Sequence, residues 1–513
     1  MRLAKVGAAA LVSVAMASSC GGSASHAPTS TITVLTTKAP ASLDPGVAFG
    51  ERAMEVDWLA YTPLLTYTHG RGVIGTRLIP GLATDLPTIT DSGTTYSFTL
   101  RPGLVYSNGL PVRASDFTGA IERAIKLRWP GARRYLLGDV VGAKAFADGR
   151  ARAISGITTD DATGQITIRL VSADGQFEDV LALPALAPVP RSTPWRDERS
   201  DPPPGVGPYR IANVIPGRSF SLLHNPRWAQ TQIPGIPRGR LDLRFRVSPD
   251  QAANALAVLH GRADALDPAD SIPQSMLARV DARAESPYLA TAADATDAIV
   301  MSTTSKPFSS GLVRDAVVAA LDEQSIQRFS GGTIAAGCYL LPPPIPGHPS
   351  ASCRRSGDVT RARTLVARSG LTGTDVTVSN EAGSPAGGLA SYYVSLLDRI
   401  GFRASYGSAG AQTRIEEFAP DLPNPAAVYE QLGASGYDRH TAAQLHVLDA
   451  VPAGQASAVS TLWQSLDEYT ARAKHVAVLG YPIASAFLSS RIDPDSVILH
   501  PVAGIDWSWL DLE

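Results

Sequence analysis

The spacing of apolar residues divides the chain into a first part rich in predicted strands and a second part in which strands and helices alternate. In the first part, β-branched and aromatic residues in short alternating runs predict strands over 31–37, 94–100, 209–214, 219–224 and 241–247. Residues 51–62 favour a helix. Another helix is predicted to begin at Ser115, because serine is a good N-cap and the apolar residues that follow share one face.

From about residue 296 the pattern changes. Strands are predicted over 298–303, 375–379 and 403–406, and helices over 312–329, 360–368 and 389–400. Alternation of this kind is typical of an α/β domain.

The first twenty residues have the layout of an export signal. Arg2 and Lys5 precede an apolar run over 6–16, and small residues at 17–19 come directly before Cys20. The run is shorter than the ~20 apolar residues needed to span a bilayer. The position of Cys20 resembles a bacterial lipobox, which implies a lipoprotein signal over 1–20 and a mature protein that begins at lipidated Cys20. A plain secreted protein is the alternative. Residues 21–30 are small and polar, as in a flexible tether.

Composition narrows the classes of function. A length of 513 residues suggests two or three domains, and 44% hydrophobic residues can build large cores. The formal net charge of −2 provides no basic footprint for nucleic acid. Beyond residue 16 no apolar run approaches membrane-spanning length, so we expect attachment to the membrane only through Cys20.

Two further cysteines, Cys338 and Cys353, flank a proline-rich segment. In an exported protein a disulfide between them is favoured over two free thiols. Closing a loop of this size could stabilise the fold by ~3 kcal/mol. Their spacing fits no zinc pattern, and we expect no metal and no cofactor.

Several short phrases, each weak alone, occur together in the order characteristic of one family. They are LDP at 43–45, YTPLL at 61–65, IPGLA at 79–83, YSFTLRPGLVYSNGLPVRASDF at 96–117, GVGPY at 205–209, NPRW at 225–228 and DLPNP at 421–425. The chain therefore resembles the extracytoplasmic solute-binding proteins of ABC importers, family 5, the peptide/nickel group that includes oligopeptide- and dipeptide-binding lipoproteins.

The resemblance implies an α/β fold of the two-lobed periplasmic-binding-protein type II kind, with a hinge and a β-rich subdomain inserted in the first lobe. We expect lobe I to comprise 31–65 and 190–295, the inserted subdomain 66–189, and lobe II 296–485. Residues 486–513 are expected to return to lobe I.

Three residues are candidates for binding the ligand. An aspartate at the place of Asp421 pairs with the ligand's α-ammonium group in peptide-binding members, although Asp421 could instead cap a turn. Phe418 could line a side-chain pocket or lie in the core. Asp44 belongs to a turn expected near the cleft, where it could serve only as a cap. A ligand carboxylate would favour an arginine, and Arg354, Arg355 and Arg414 remain open.

The resemblance implies a lipid-anchored binding protein outside the cell membrane of a bacterium. It would deliver a small solute, with short peptides first among the candidates, to an ABC permease and its ATPase. We expect a monomer. The alternative is an envelope regulator or scaffold that reuses the fold without transport. No enzyme is expected, because the chain lacks G-x-S-x-G and H-E-x-x-H motifs and its G-x-G-x-x-G match at 70–75 has the context of a turn.

Overall fold

The computed structural model describes residues 30–228, 233–270, 272, 276, 288–351, 353–380, 387–433 and 438–513. The predicted signal, Cys20 and residues 21–29 of the predicted tether lie outside the described residues. Within the described residues, no helix combines the length and the apolar character that a membrane crossing would require.

The chain folds into two α/β lobes, with an additional antiparallel sheet inserted in the first. The first lobe contains a five-stranded sheet in which Thr31–Thr36 lies between Asp242–Val247, the central strand, and Ala265–Leu266, and is parallel to both. The inserted sheet has four strands between residues 88 and 169, accompanied by helices that the sequence pattern did not all predict. The second lobe contains a seven-stranded sheet.

The strands are Thr31–Thr36, Leu65–Tyr67, Leu78–Pro80, Thr88–Thr90, Thr95–Thr99, Ile157–Asp160, Gln165–Arg169, Tyr209–Ile215, Ser219–His224, Asp242–Val247, Ala265–Leu266, Tyr288–Ala292, Thr296–Met301, Ile334–Ala336, Asp375–Asn380, Arg403–Tyr406, Thr413–Phe418, Val476–Phe487, Leu499–His500 and Gly504–Ile505. The α-helices are Glu51–Ala60, Ala114–Lys126, Pro130–Tyr135, Ala143–Ala147, Phe177–Val180, Gln251–Leu259, Gly311–Ala320, Glu323–Phe329, Val359–Ser369, Gly387–Ile400, Pro425–Leu432, Arg439–Leu448 and Ser460–Ala473. Short 3₁₀ helices lie at Gly72–Thr76, Asp91–Gly93, Pro184–Leu186, Ala453–Ala458 and Pro494–Ser496.

In the described part of the chain, five α-helices begin at a side chain that accepts a hydrogen bond from the backbone of the first turn. The capping residues are Asp250, Asp322, Asp358, Asn424 and Asp438. Each satisfies an amide that would otherwise lack a partner at a helix N-terminus.

Two helix predictions were wrong in detail, and caps explain both. The predicted helix over 312–329 is two helices, because Leu321 is extended and Asp322 caps the second one. Ser115 does not cap the helix that follows it. That helix begins at Ala114 because Asp116 accepts a hydrogen bond from the Arg113 amide at 2.9 Å, while the Ser115 hydroxyl donates to Asp161.

The hydrophobic core consists of several clusters. The largest contains one face of the five-stranded sheet and the buried face of the inserted subdomain, with Ile32 and Tyr96 among its members, and it extends to Leu422 and Ala427 of the second lobe. Two other clusters lie on opposite faces of the seven-stranded sheet, since Ile299 belongs to one and the neighbouring Val300 to the other. Such alternation is what a strand covered on both faces requires.

The lobes meet at two neighbouring chain segments. The long strand Val476–Phe487 pairs with Thr296–Met301 inside the second lobe and, through residues 483–487, with Tyr288–Ala292. The next residue, Leu488, forms a bridge to Ala265 of the first sheet. These paired crossings have the arrangement of a hinge. The domain boundaries expected from the sequence stay predictions.

Cys338 and Cys353 stand next to each other as a disulfide, with Cα atoms 6.1 Å apart. The bond closes the segment between a short strand of the second sheet, Ile334–Ala336, and the cap residue of the helix Val359–Ser369.

Candidate functional site

A cavity of about 500 Å³ lies between the lobes. The first lobe and its insert contribute residues 48–51, 53, 54 and 57, together with Trp129, Tyr135, 183–185 and several residues of 499–504. The second lobe and the hinge contribute 291–294, Pro344, 419–421, Pro423 and 483–485. Its volume lies in the range of small-molecule sites, roughly 300–1,000 Å³.

The walls of the cavity are mostly apolar and partly aromatic. Trp129 makes edge contacts with Phe49 and lies near Tyr135, with ring centroids 6.4 Å apart in both pairs. The Trp129 indole donates to the Ala48 carbonyl at 2.9 Å, which fixes the ring beside the turn that precedes the helix Glu51–Ala60. An apolar wall with a few polar groups is the usual composition of a ligand site.

Asp421 lies at this cavity, as the family resemblance implies. It belongs to the turn between the strand Thr413–Phe418 and the helix Pro425–Leu432. Its Oδ2 accepts from Arg134 Nη1 at 2.7 Å and from the Tyr135 hydroxyl at 2.9 Å. The side chains of Asp421 and Arg134 are 35% and 38% exposed, so this ion pair remains in contact with water. It links the second lobe to the inserted subdomain.

Asp44 lies elsewhere, in a fully buried ion pair. Its two carboxylate oxygens accept from Arg123 at 2.7 and 2.6 Å, and the backbone amides of Gly46 and Glu198 also donate to it. Neither Asp44 nor Arg123 lines the cavity. The placement corrects the expectation that Asp44 contacts ligand, because all of its oxygens already have donors within the protein.

Phe418 also lies outside the cavity. It is fully buried and packs with Val300, Tyr429 and other residues of the second lobe's core. Side chains along the strand Thr413–Phe418 alternate between two covered faces. Phe418 pairs with Thr296 and lies on the face that packs against the helix Pro425–Leu432. The structure therefore assigns it to packing, which corrects the predicted role in a side-chain pocket.

The three arginines considered for a ligand carboxylate are also absent from the cavity wall. Arg355 donates to the carbonyl of Val478, and its burial lowers the pKa of the guanidinium to about 10. Arg414 pairs with Glu416 at 2.7 Å, and Arg354 is exposed.

The cavity wall contains acidic residues that the sequence analysis missed: Glu51, Asp57 and Asp294 join Asp421. Glu51 comes directly after Gly50, whose φ of 90° turns the chain into the helix. An acidic residue in the first turn of a helix is common, because it interacts favourably with the helix dipole, and so it carries no signal of binding. Asp294 follows the hinge strand, some 240 positions later, and only the fold brings the two together.

Partial loss of surrounding water makes the charged forms of these carboxylates costly. It raises the pKa of Glu51, whose side chain is still exposed, with Asp267 adding to the effect. It raises the pKa of Asp294 to about 7, with repulsion from Glu51 and Glu417 as further causes. The pKa of Asp57 is raised well above its ordinary value, again mainly by burial. Binding of protons, or of a cation beside these carboxylates, therefore stabilises the cavity wall.

The cationic side chains near the cavity are already engaged. Arg52 pairs with Asp267 at 3.3 Å and with Asp270, and Arg134 pairs with Asp421. His500 lines the cavity, but burial lowers its pKa to about 4, so its ring is neutral near pH 7. Among the described residues no group of three His, Cys, Asp or Glu is arranged to hold a metal ion.

The architecture and the cleft define a class: two α/β lobes that enclose a solute site and are joined by a hinge. Over 152 residues the chain is 31% identical to the probable deoxycholate-binding periplasmic protein YgiS of Escherichia coli (strain K12), which covers 28% of each chain. Over 166 residues it is 29% identical to the oligopeptide-binding protein OppA of Lactococcus lactis subsp. lactis, covering 30% of this chain and 27% of the relative. The chain thus matches less than a third of the length of these curated relatives.

Likeness in structure extends over nearly the whole molecule. The clavulanic acid biosynthesis oligopeptide binding protein 2 superimposes with a TM-score of 0.79 at 20% identity, covering 94% of this chain and 95% of that one. The family model for bacterial extracellular solute-binding proteins, family 5, middle region, matches residues 77–422. The chain therefore belongs to the family 5 solute-binding proteins of ABC importers.

Proposed function

We propose that this chain is a lipid-anchored receptor that captures a small solute, with short peptides as the first ligand class to test, and delivers it to an ABC permease and ATPase. The oligopeptide-binding names of OppA and of the superimposed structure support peptides. The deoxycholate-binding name of YgiS keeps the ligand class broader than peptides.

One observation carries the proposal: the cavity of about 500 Å³ is walled by both lobes and has Asp421 at its wall. A ligand there touches both sides of the hinge at once. Ligand binding therefore favours the arrangement in which the lobes approach each other, by as much as its affinity for that arrangement exceeds its affinity for others. No chemical step is required for this action.

Asp421 is the proposed partner of a ligand ammonium group. Its present partners, Arg134 and Tyr135, are donors, and a ligand ammonium is a donor of the same kind. Because the Asp421–Arg134 pair is more than a third exposed, its exchange for a ligand does not leave a buried charge unpaired.

The proposed anchor is Cys20. Lipidation would hold the protein at the membrane surface, and a cysteine that carries several acyl chains binds firmly where a single chain binds only marginally. Metabolic labelling with a fatty acid, compared between the full chain and Cys20→Ser, tests this part; equal labelling would exclude Cys20.

Native mass spectrometry of the protein beginning after Cys20, purified without denaturation, tests the receptor. A set of bound masses that fragment as peptides supports a peptide receptor and gives their length. One discrete non-peptide mass supports a receptor for another solute. Bare protein that also fails to bind added peptides favours the alternative of an envelope regulator or scaffold.

A further inference from the structure

We propose that the two lobes take up a proton when they close on each other, so that the receptor holds its solute more firmly in mildly acidic than in mildly alkaline surroundings. The proton binds at a contact between residues 174–179 of the inserted subdomain and Asn424, Glu430, Asp449 and Gly454 of the second lobe, here named the clasp. The inference rests on the proposed function and adds a form of regulation to it.

Two side-chain hydrogen bonds cross between the lobes at the clasp. Asn424 donates from Nδ2 to Asp179 Oδ2 at 2.8 Å, and Gln176 donates from Nε2 to Glu430 Oε1 at 2.6 Å. The Asn424 amide has a fixed orientation, because its oxygen caps the helix Pro425–Leu432. When the lobes move apart at the hinge, both of these bonds are broken.

The backbones of the two lobes also approach each other closely at the clasp. The Gly175 amide donates to the Asp449 carbonyl at 2.7 Å. A Cβ on Gly175 would lie only 2.3 Å from the Val451 carbonyl oxygen, so this approach requires glycine. A third bond is formed by the Gly454 amide, which donates to the Glu178 carboxylate at 2.6 Å. The clasp is therefore a closely fitted contact between the lobes.

The clasp brings carboxyl groups from both lobes together. They are Asp174, Glu178, Asp179, Glu430 and Asp449. Among the described residues, none of the five forms a salt bridge. Arg134 attracts Glu430 and His446 attracts Asp449, but Arg134 is already paired with Asp421. Like charges therefore meet when the lobes close, unless protons neutralise them.

Asp179 provides the buried acceptor of the clasp and is 3% exposed. Its partners are neutral, since the Tyr67 hydroxyl donates to it at 3.0 Å and the Asn424 amide donates from the second lobe. Tyr67 remains neutral because burial raises the pKa of its hydroxyl. Burial likewise raises the pKa of Asp179 to about 7, and repulsion from Glu178 and Asp174 adds to this effect. Asp179 is therefore the group on which the clasp holds its proton.

The neighbouring carboxyl groups respond in the same direction. Partial loss of water raises the pKa of Asp174 to about 6, with Asp139, Asp449 and Glu430 adding to the effect. It also raises the pKa of Glu430. Separation of the lobes returns water to these groups and so lowers their pKa values toward the ordinary range. The advantage of the closed arrangement is therefore full below about pH 4 and is lost as the pH rises through about 7.

Small-angle X-ray scattering of the protein beginning after Cys20 tests this without a ligand. Bound solute is first removed by partial unfolding in guanidinium chloride and dialysis. We expect a smaller radius of gyration at pH 5 than at pH 8, because the ratio of closed to open molecules changes by up to about tenfold per pH unit between pH 4 and 7. Asp201→Asn, on an exposed loop, is the matched control and should show the same dependence as the unsubstituted protein.

Two substitutions at the clasp should act in opposite directions. Asp179→Asn resembles the protonated carboxyl group and should remain closed at both pH values. Asn424→Asp keeps a helix cap but places a second carboxylate against Asp179, so it should be more open than the unsubstituted protein at pH 8. Circular dichroism verifies that each variant is folded. Opening of both variants at both pH values would show a purely structural contact and would overturn the inference.

An unchanged radius of gyration in both the unsubstituted protein and Asn424→Asp would also overturn the inference, as would an undiminished pH dependence in Asp179→Asn. Since no ligand is present in these measurements, such results leave the proposed receptor function intact. That function fails instead in native mass spectrometry, when neither a bound solute nor binding of added peptides is found. The two failures are thereby distinguishable.

Discussion

Two aspartate–arginine pairs show how the same chemistry serves different ends in this molecule. Asp44 and Arg123 are 0% and 3% exposed and are joined by two hydrogen bonds, with backbone amides completing the carboxylate. Asp421 and Arg134 are about one-third exposed and share one short contact. The first pair holds the turn at Asp44 against the helix Ala114–Lys126 of the inserted subdomain. The second pair crosses the cleft.

The two pairs differ in whether water can replace the arginine when it is lost. Water cannot reach Asp44, so its arginine is irreplaceable, and removing one member of such a pair costs about 3–5 kcal/mol. Water does reach Asp421, and exposed pairs contribute only about 0–1 kcal/mol. A pair that is weak in this sense can be exchanged for a ligand, and four predictions test the distinction.

The largest effect is expected from Arg123→Met, which leaves the Asp44 carboxylate buried and unpaired. We expect the free energy of unfolding to fall by about 3–5 kcal/mol. Chemical denaturation followed by circular dichroism measures it. Arg134→Met is the matched control, with an expected loss below about 1 kcal/mol. Similar losses in the two variants would contradict the distinction between the pairs.

The next effect is on binding. Asp421→Ala should weaken binding of a peptide with a free N-terminus by about 2 kcal/mol, because it leaves the ligand's ammonium without its acceptor. Stability should change by less than about 1 kcal/mol. Calorimetry with an N-acetylated peptide as the control probe separates the ammonium contact from the rest. Unchanged affinity in the variant would exclude Asp421 as that contact.

A third carboxylate combines features of both pairs, since Asp179 is buried and yet crosses between the lobes. It accepts from Tyr67 at 3.0 Å and from Asn424 of the second lobe at 2.8 Å. Burial raises its pKa from 3.8 to about 7. Between about pH 4 and 7 the folded protein therefore holds a proton that the unfolded chain releases. The contribution of this proton to the free energy of unfolding is full below about pH 4 and is lost as the pH rises through about 7.

We expect Asp179→Asn to reduce the pH dependence of stability between pH 4 and 7 by up to about one proton. Thermal unfolding measured across this range provides the slope. Asp201→Asn, on an exposed loop, should leave the slope as it is. An unaltered slope in Asp179→Asn would show that this carboxyl titrates normally.

The smallest effect on binding is expected from a substitution of Arg134, the other member of the exposed pair. Arg134 competes with a ligand ammonium for Asp421, so Arg134→Met should tighten peptide binding by a few-fold, the scale of an exposed pair. The comparison with Asp421→Ala is informative because the two substitutions break the same contact. Weaker binding in Arg134→Met would mean that the guanidinium orients the carboxylate for the ligand.

The sequence could predict the architecture because local patterns and the family phrases agree. Strands such as Thr31–Thr36 and the α/β alternation after residue 296 follow from spacing alone. The position of Asp421 at the cavity was predictable because its turn carries a family phrase. Phe418 was not, since a strand with two buried faces offers an aromatic residue no preferred side. Glu51 and Asp294 lacked any local signal, because only the meeting of the lobes makes them neighbours.

Trp507 adds a consequence for the biosynthesis of this molecule. It is fully buried against Phe245 and donates to Glu55, which stands 452 positions earlier. Domains generally fold from the N-terminus during synthesis. The core of the first lobe includes Trp507, so this lobe can be completed only after Trp507 has been synthesised.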